Sequence, residues 1–363
     1  MGSQARAWTT LALARGLSAR RALALADAFG GVEAVVRADP ARLAAHRVCA
    51  ETAGAIAAAR AGLADALRSL DGDGVAIVTW ADGDYPSRLR EIPDPPLALF
   101  VRGEVADLDR PAVAIVGARR ASGYGRRVAE ELGRDLAAAG LVVVSGLAAG
   151  IDAAAHRGAL AAGGRTVAVL GTGIDRVYPP WHRDLAAEIA GSGALATEFG
   201  PGDPPRPGHF PQRNRIVSGL TVATVVVEAG ERSGSLITAR HALEQNRGVF
   251  AVPGPLGPPG HAGPHRLIRD GAVLVRSADD VLAEVAPGLV DCLAQRRAAR
   301  EVASLEPGER RLLEALRGDE LQLEVLINAT GMRSEAVLET LLALELRGLV
   351  VQSAGKRFRG RAA

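Results

Sequence analysis

From Val113 onward the chain repeats one pattern. A short unbroken apolar run ends in glycine or a small polar residue, and a helix-period segment follows. The runs are "VAIVG", "LVVVSG", "TVAVLG", "ALATE", "VATVVVEA", "GVFAVPG" and "AVLV". A strand with one wet face alternates apolar and polar residues, whereas continuous apolar runs suit strands covered on both faces. Segments such as "RRVAEELGRDLAAAG" and "ARHALEQ" lie between them. Strands that alternate with helices and are buried on both faces predict an α/β fold with a doubly wound, mostly parallel sheet. This core is placed at 75–288, with "VAIVTW" as its first strand.

The flanks read differently. Residues 1–72 show three- and four-residue apolar spacing broken at Gly30-Gly31 and Pro40, which predicts a small helical domain. The stretch "DGDYPSRLREIPDPPLALFVRG", with prolines at 86, 93, 95 and 96, reads as loop. Residues 289–304 read as a linker. In 305–360 three helical patterns, "GERRLLEALRG", "LQLEVLINATG" and "MRSEAVLETLLALELRG", precede a hairpin-like end, the outline of a winged helix. Hydrophobic residues at 48% and charged residues at 23% support a buried core rather than disorder. Two distant cysteines, Cys49 and Cys292, give no metal spacing and suggest a reduced, cytoplasmic protein. The beginning of the chain lacks the apolar core of a secretion signal. No run approaches the roughly 18 apolar residues of a membrane span.

Net charge is only +2, so any basic function must be local. A single lysine, Lys356, stands among 43 basic residues, so arginine content reflects composition, and position carries the information. Two segments hold arginines and no carboxylate. Pro111–Ala129 contains Arg119 and Arg120 directly after a predicted strand, and Arg126 and Arg127 on a solvated helix face. Pro204–Val227 contains Arg206, His209, Arg213 and Arg215. In a doubly wound sheet, ligands bind beyond the carboxyl ends of the strands. Those ends carry Gly117, Ser145 and Gly146, Gly171 and Gly173, and Ser233, Gly234 and Ser235, where backbone N–H groups can approach phosphate. There is neither a G-x-G-x-x-G turn nor a Walker A sequence. Asp152 reads as a helix-cap acceptor and His156 as an interior histidine. Glu198 and Glu228 read as acids or as anchors for arginines. No nucleophile–base pair, metal set or cofactor motif stands out, so no enzyme, metal or cofactor is expected.

The segments "VAIVGARRASGYG", "SGLAAGIDAAAHRGAL", "TVAVLGTGIDRVYPPWHRDL", "FPQRNRIVSGL", "VVVEAGERSGSLITARHALEQNRGVFAVPGP" and "HRLIRDGA" occur in order over about 113–276. Together they resemble the DNA-processing protein A (DprA, or Smf) family of bacteria. The resemblance implies an extended Rossmann-type core, a small helical domain before it and a winged helix after it. It implies a homodimer that binds and protects single-stranded DNA and loads the recombinase RecA during natural transformation, without enzymatic turnover. Carried over, the DNA site takes in Arg119, Phe210, Arg213, Asn214 and Arg215, with Ser233, Gly234 and Ser235. The Ser145–Gly146 turn adjoins them. Two positions depart from the pattern: Ala149 stands where members often have arginine, and Arg206 is the nearest substitute for a frequent lysine before the Phe210-Pro211 pair. Of Arg213 and Arg215, one is expected to face DNA and the other to be held by Glu198 or Glu228. The alternative is a nucleotide-processing enzyme akin to lysine-decarboxylase-like phosphoribohydrolases, but "ERSGSLITARHALE" lacks their "PGGxGTxxE" arrangement. The third winged-helix segment, with Arg333 and Arg347 against Glu335, Glu339 and Glu345, suits protein contacts better than a DNA groove.

Overall fold

The computed structural model describes residues 1–303, 305–318 and 320–360. It divides into two compact units, Met1–Val290 and a second from Asp291 on.

The first unit is built on nine strands: β1 (Val75–Thr79), β2 (Ala98–Gly103), β3 (Ala112–Val116), β4 (Val142–Ser145), β5 (Thr166–Val169), β6 (Ala194–Thr197), β7 (Ala223–Val226), β8 (Gly248–Ala251) and β9 (Val273–Leu274). Their order is β1-β2-β6-β5-β4-β3-β7-β8-β9. Every pairing from β6 to β9 is parallel, and β2 runs antiparallel to both β1 and β6. β3, β4, β5, β6 and β7 are buried along their whole length, as continuous apolar runs require. β2 corrects the reading of 82–103 as loop. The prolines at 93, 95 and 96 all precede the strand, so they delimit it without removing ladder donors inside it.

Helices cover both faces. Gly123–Ala138 and Ile151–Ala161 pack so closely that Gly133 and Gly158 have no room for a side chain against each other's helix backbone. The main apolar cluster joins Val101, Ala114, Val144 and Val167 of the sheet to Ile216 and Val217 of the helix His209–Gly219 and to Leu220, which caps it. The five helices of 3–68 enclose a separate core around Trp8, Leu11, Leu25, Val35 and Ile56, which reaches the sheet through Leu97 and Trp80.

The stretch read as a linker carries a helix, Val290–Ala303. Helices Pro307–Ala315, Leu323–Thr330 and Ser334–Leu346 follow, with strands β10 (Glu320–Gln322), β11 (Val350–Ser353) and β12 (Arg357–Gly360) in the order β10-β12-β11. Leu312, Leu326, Val337, Leu344 and Phe358 form the core of the second unit. β10 was hidden in the sequence because three residues cannot display an alternating period.

Candidate functional site

The sheet reverses its winding at β3. β4, β5 and β6 extend to one side of it, and β7, β8 and β9 to the other. At such a switch point the loops leave in opposite directions and open a crevice beyond the strand ends. An open cleft of about 560 Å³ lies there. Its walls come from the turn after β3 (Gly117, Arg119), the turn after β4 (Gly146, Ala148), the helix start after β7 (Ser233, Gly234, Ser235) and the helix His209–Gly219 (Phe210, Arg213, Asn214). Asp152, Tyr178, Pro205 and Pro207 are also among its lining residues.

Two arginines shape its charge. Arg119 is exposed and has no ion-pair partner among the described residues, and its guanidinium sits 5.0 Å from the centre of the Phe210 ring. Phe210 in turn meets Tyr178 at 5.6 Å. Arg213 is only 4% exposed yet lines the cleft. It donates to the Val169 carbonyl, and its Nε has no partner among the described residues. Burial pulls the Arg213 guanidinium down to about 10, Asp152 works the other way, and the like charge of Arg119 lowers it further. A buried cation with a cationic neighbour is stabilised by any anion that enters.

Backbone close approach builds this floor. A side chain at Gly146 would overlap the Arg213 guanidinium, and one at Gly150, which has φ +84°, would overlap the carbonyls of Ala118 and Arg119. Asp152 ties the turn after β4 together, accepting from the N–H of Gly146 at 3.1 Å and of Ala148 at 3.3 Å. Burial pushes the Asp152 carboxyl up, against the pull of Arg213. This acceptor role differs from the expected helix cap: the carboxylate bonds the loop preceding its helix rather than the helix N–H groups. Across the cleft, Ser233 caps the helix Gly234–Glu244, and its hydroxyl lies 2.8 Å from that of Ser235. Asn214 locks the two helices together, its Nδ2 donating to the Gly234 carbonyl at 3.1 Å.

Eight of the eleven expected residues therefore share one cleft: Arg119, Gly146, Phe210, Arg213, Asn214, Ser233, Gly234 and Ser235. Three lie elsewhere. The Ser145 hydroxyl is buried and donates to the Ile115 carbonyl at 2.6 Å, so it has nothing to offer a ligand. Arg206 and Arg215 line a separate polar cleft beside the helical domain. There Arg215 grips Glu198 with two bonds of 2.7 Å and also reaches Asp94 at 3.2 Å. Burial opposes its charge, but Glu198 and Asp94 more than compensate and raise its pKa. Two residues apart on a helix, Arg213 and Arg215 point to different sides, and they divide into a cleft residue and an anchored one. Among the described residues Glu228 anchors no arginine. It is 2% exposed and accepts from the N–H and hydroxyl of Ser122 at the start of the helix Gly123–Ala138. Sequence reasoning missed Tyr178, whose signal was the aromatic-proline turn "YPPW", and Pro205, which lies in the proline-rich "PGDPPRPG".

A Rossmann-type sheet with a cationic, glycine-floored cleft at its switch point is the arrangement of a doubly wound, anion-binding protein, and a winged-helix-like unit follows it in the chain. Residues 76–286 match the family described as DNA recombination-mediator protein A, and residues 296–356 match the DprA winged helix domain. The chain is 42% identical over 279 residues to protein Smf of Escherichia coli, covering 75% of this chain and 74% of that protein. It is 47% identical over 203 residues to the DNA processing protein DprA of Streptococcus pneumoniae, covering 56% of this chain and 72% of that one. The solved structure of the pneumococcal protein aligns with TM-score 0.67 at 38% identity, covering 76% of this chain and 96% of that chain. A structure of DNA processing protein A from Helicobacter pylori, described in terms of its single-stranded DNA binding mode, aligns with TM-score 0.53 at 29% identity, covering 58% and 96%. The chain belongs to the DNA recombination-mediator protein A (DprA/Smf) family, and its role lies in DNA processing and recombination.

Proposed function

We propose that the switch-point cleft holds single-stranded DNA. One observation carries the reading: Arg119 and Arg213 face one cleft with only the buried Asp152 to offset them, beside an aromatic ring that Arg119 covers. Guanidinium groups and backbone N–H groups suit phosphate, and Tyr178 and Phe210 offer ring surface to an unpaired base. A cleft of about 560 Å³ is too small for a duplex and takes single nucleotides of an open strand. The solved H. pylori relative, described through its single-stranded DNA binding, supports the same reading. In this reading the protein shelters the strand and passes it to RecA, and it works as a homodimer; both steps rest on family membership.

Glu228, one acid the enzyme alternative could use, lies under the Ser122 cap rather than among the residues that line the cleft, where Asp152 is the carboxylate. Among the described residues no cluster of three or more metal-binding side chains is present, and no helix is long and apolar enough to cross a membrane.

The test compares oligo-dT with a hairpin-free duplex at two salt concentrations. Single strands bind better, with a log–log salt slope of about −0.7 per phosphate contacted. Equal affinity for the two forms would overturn the assignment.

A further inference from the structure

A second cleft, about 850 Å³, opens beside the first, and Tyr178 and Pro205 line both. The second is bordered by Arg176 and Arg183, with Asp175 as the carboxylate of its lining, and by Arg102, which is paired with Asp73 at 3.3 Å. Arg183 has no ion-pair partner among the described residues. Arg176 holds Asp175 only loosely, at 3.7 Å, and Asp175 is also engaged by the Gly202 N–H at 2.9 Å. Between Tyr178 and Arg183 runs the turn Pro179-Pro180-Trp181-His182. It is pinned from inside: His182 is buried, with its Nδ1 2.9 Å from the Leu147 carbonyl, in the turn after β4. On this fixed turn Trp181 is 75% exposed. A large indole held in water by a rigid turn contributes nothing to the core, and aromatic side chains beside cationic grooves serve as stacking platforms for successive bases.

We propose that the same strand continues out of the switch-point cleft, over the Tyr178–Pro205 divide and into this second cleft. Arg176 and Arg183 take its phosphates there, and Trp181 stacks on a base. This rests on the single-strand reading of the first cleft and extends it: the site has a near subsite on Arg119 and Arg213 and a far subsite on Arg176 and Arg183. The aromatic series Phe210, Tyr178, Trp181 marks the route, with Phe210 and Tyr178 already 5.6 Å apart.

The experiment uses the full chain, the double variant Arg176→Ala/Arg183→Ala, the variant Arg119→Ala, and oligo-dT of about 4 and about 16 nucleotides, the two ends of the range of single-strand site sizes. The double variant binds the long oligomer about tenfold more weakly and shows a salt slope shallower by about 1.4, two lost phosphates at about 0.7 each. Its affinity for the short oligomer stays within about twofold of the parent, since removing distant phosphate contacts leaves the near ones in place. Trp181 fluorescence is quenched by the long oligomer and not by the short one, and Trp181→Ala removes that signal. If the double variant binds the long oligomer like the parent, or loses both lengths equally, there is no far subsite. Failure of the first cleft is read separately: Arg119→Ala would then bind both lengths normally, whatever the double variant does.

Discussion

Arg215→Ala separates the two arginines that flank Asn214. Its guanidinium makes two bonds of 2.7 Å to Glu198, and the two side chains are 10% and 11% exposed. Removing one partner of a buried pair leaves the other charge stranded, at a cost of about 3–5 kcal/mol. For a domain of this class 1 kcal/mol corresponds to about 2–4 °C in Tm, so a drop on the order of 10 °C is expected. Solvent reaching Asp94, which is half exposed, softens only the third bond. The assay is thermal unfolding of parent, Arg215→Ala, Glu198→Ala and the double variant, with oligo-dT affinity measured below the transition. The pair couples by more than 1 kcal/mol in the cycle, as residues in one buried network do, while the folded variant keeps DNA affinity within a few-fold. Unchanged Tm together with lost DNA binding would return Arg215 to the DNA site.

Other outcomes follow from the same geometry. Gly146→Ala forces the Arg213 guanidinium to move, so it lowers stability by about 1–3 kcal/mol and weakens oligo-dT binding; a neutral effect in titration and melting would show that the floor is not tight. His156 is buried beside Thr166, and burial first, then the charges of His182 and Arg213, hold its pKa down at about 3, below the ordinary 6.5. With the folded value below the unfolded one, its contribution is complete above pH 6.5 and is lost as pH falls toward 3. The parent thus loses stability, on the order of a few kcal/mol, relative to His156→Gln as pH falls through that window; parallel denaturation curves at several pH values check it. Deleting 300–363 leaves oligo-dT affinity within a few-fold, because the helix Ser334–Leu346 presents exposed Leu338, Leu342 and Leu346 with three glutamates rather than a basic face. A hundredfold loss in a gel shift would make the winged helix a main DNA reader.

The sheet was legible because seven of its strands are continuous apolar runs; burial on both faces imposes that pattern on β3–β7, while the edge strand β9 is exposed at both of its residues. β2 was not, since its proline-rich approach looks like a loop until the antiparallel partners β1 and β6 are seen. The cleft was largely legible from acid-free segments and glycine turns at strand ends. What the sequence could not supply was direction. Ser145 and Gly146 are neighbours, yet one turns into the sheet and the other forms the cleft floor. Arg213 and Arg215 differ only in helical angle, and that angle decides which one finds Glu198. Glu228 looked like a partner for arginine because nothing in the sequence places it under Ser122.

Arg119→Ala probes the single-strand cleft with the least structural disturbance, because Arg119 is exposed, makes no ion pair among the described residues and packs on the Phe210 ring. Its removal leaves the Tm within about 1–2 °C of the parent, as for a surface substitution within about 0.5 kcal/mol. Oligo-dT binding weakens by about 1.5–3 kcal/mol, the range for a hydrogen bond to a charged group, and the salt slope flattens by about 0.7. A folded Arg119→Ala protein that binds oligo-dT with the parent's affinity and salt slope would contradict the account.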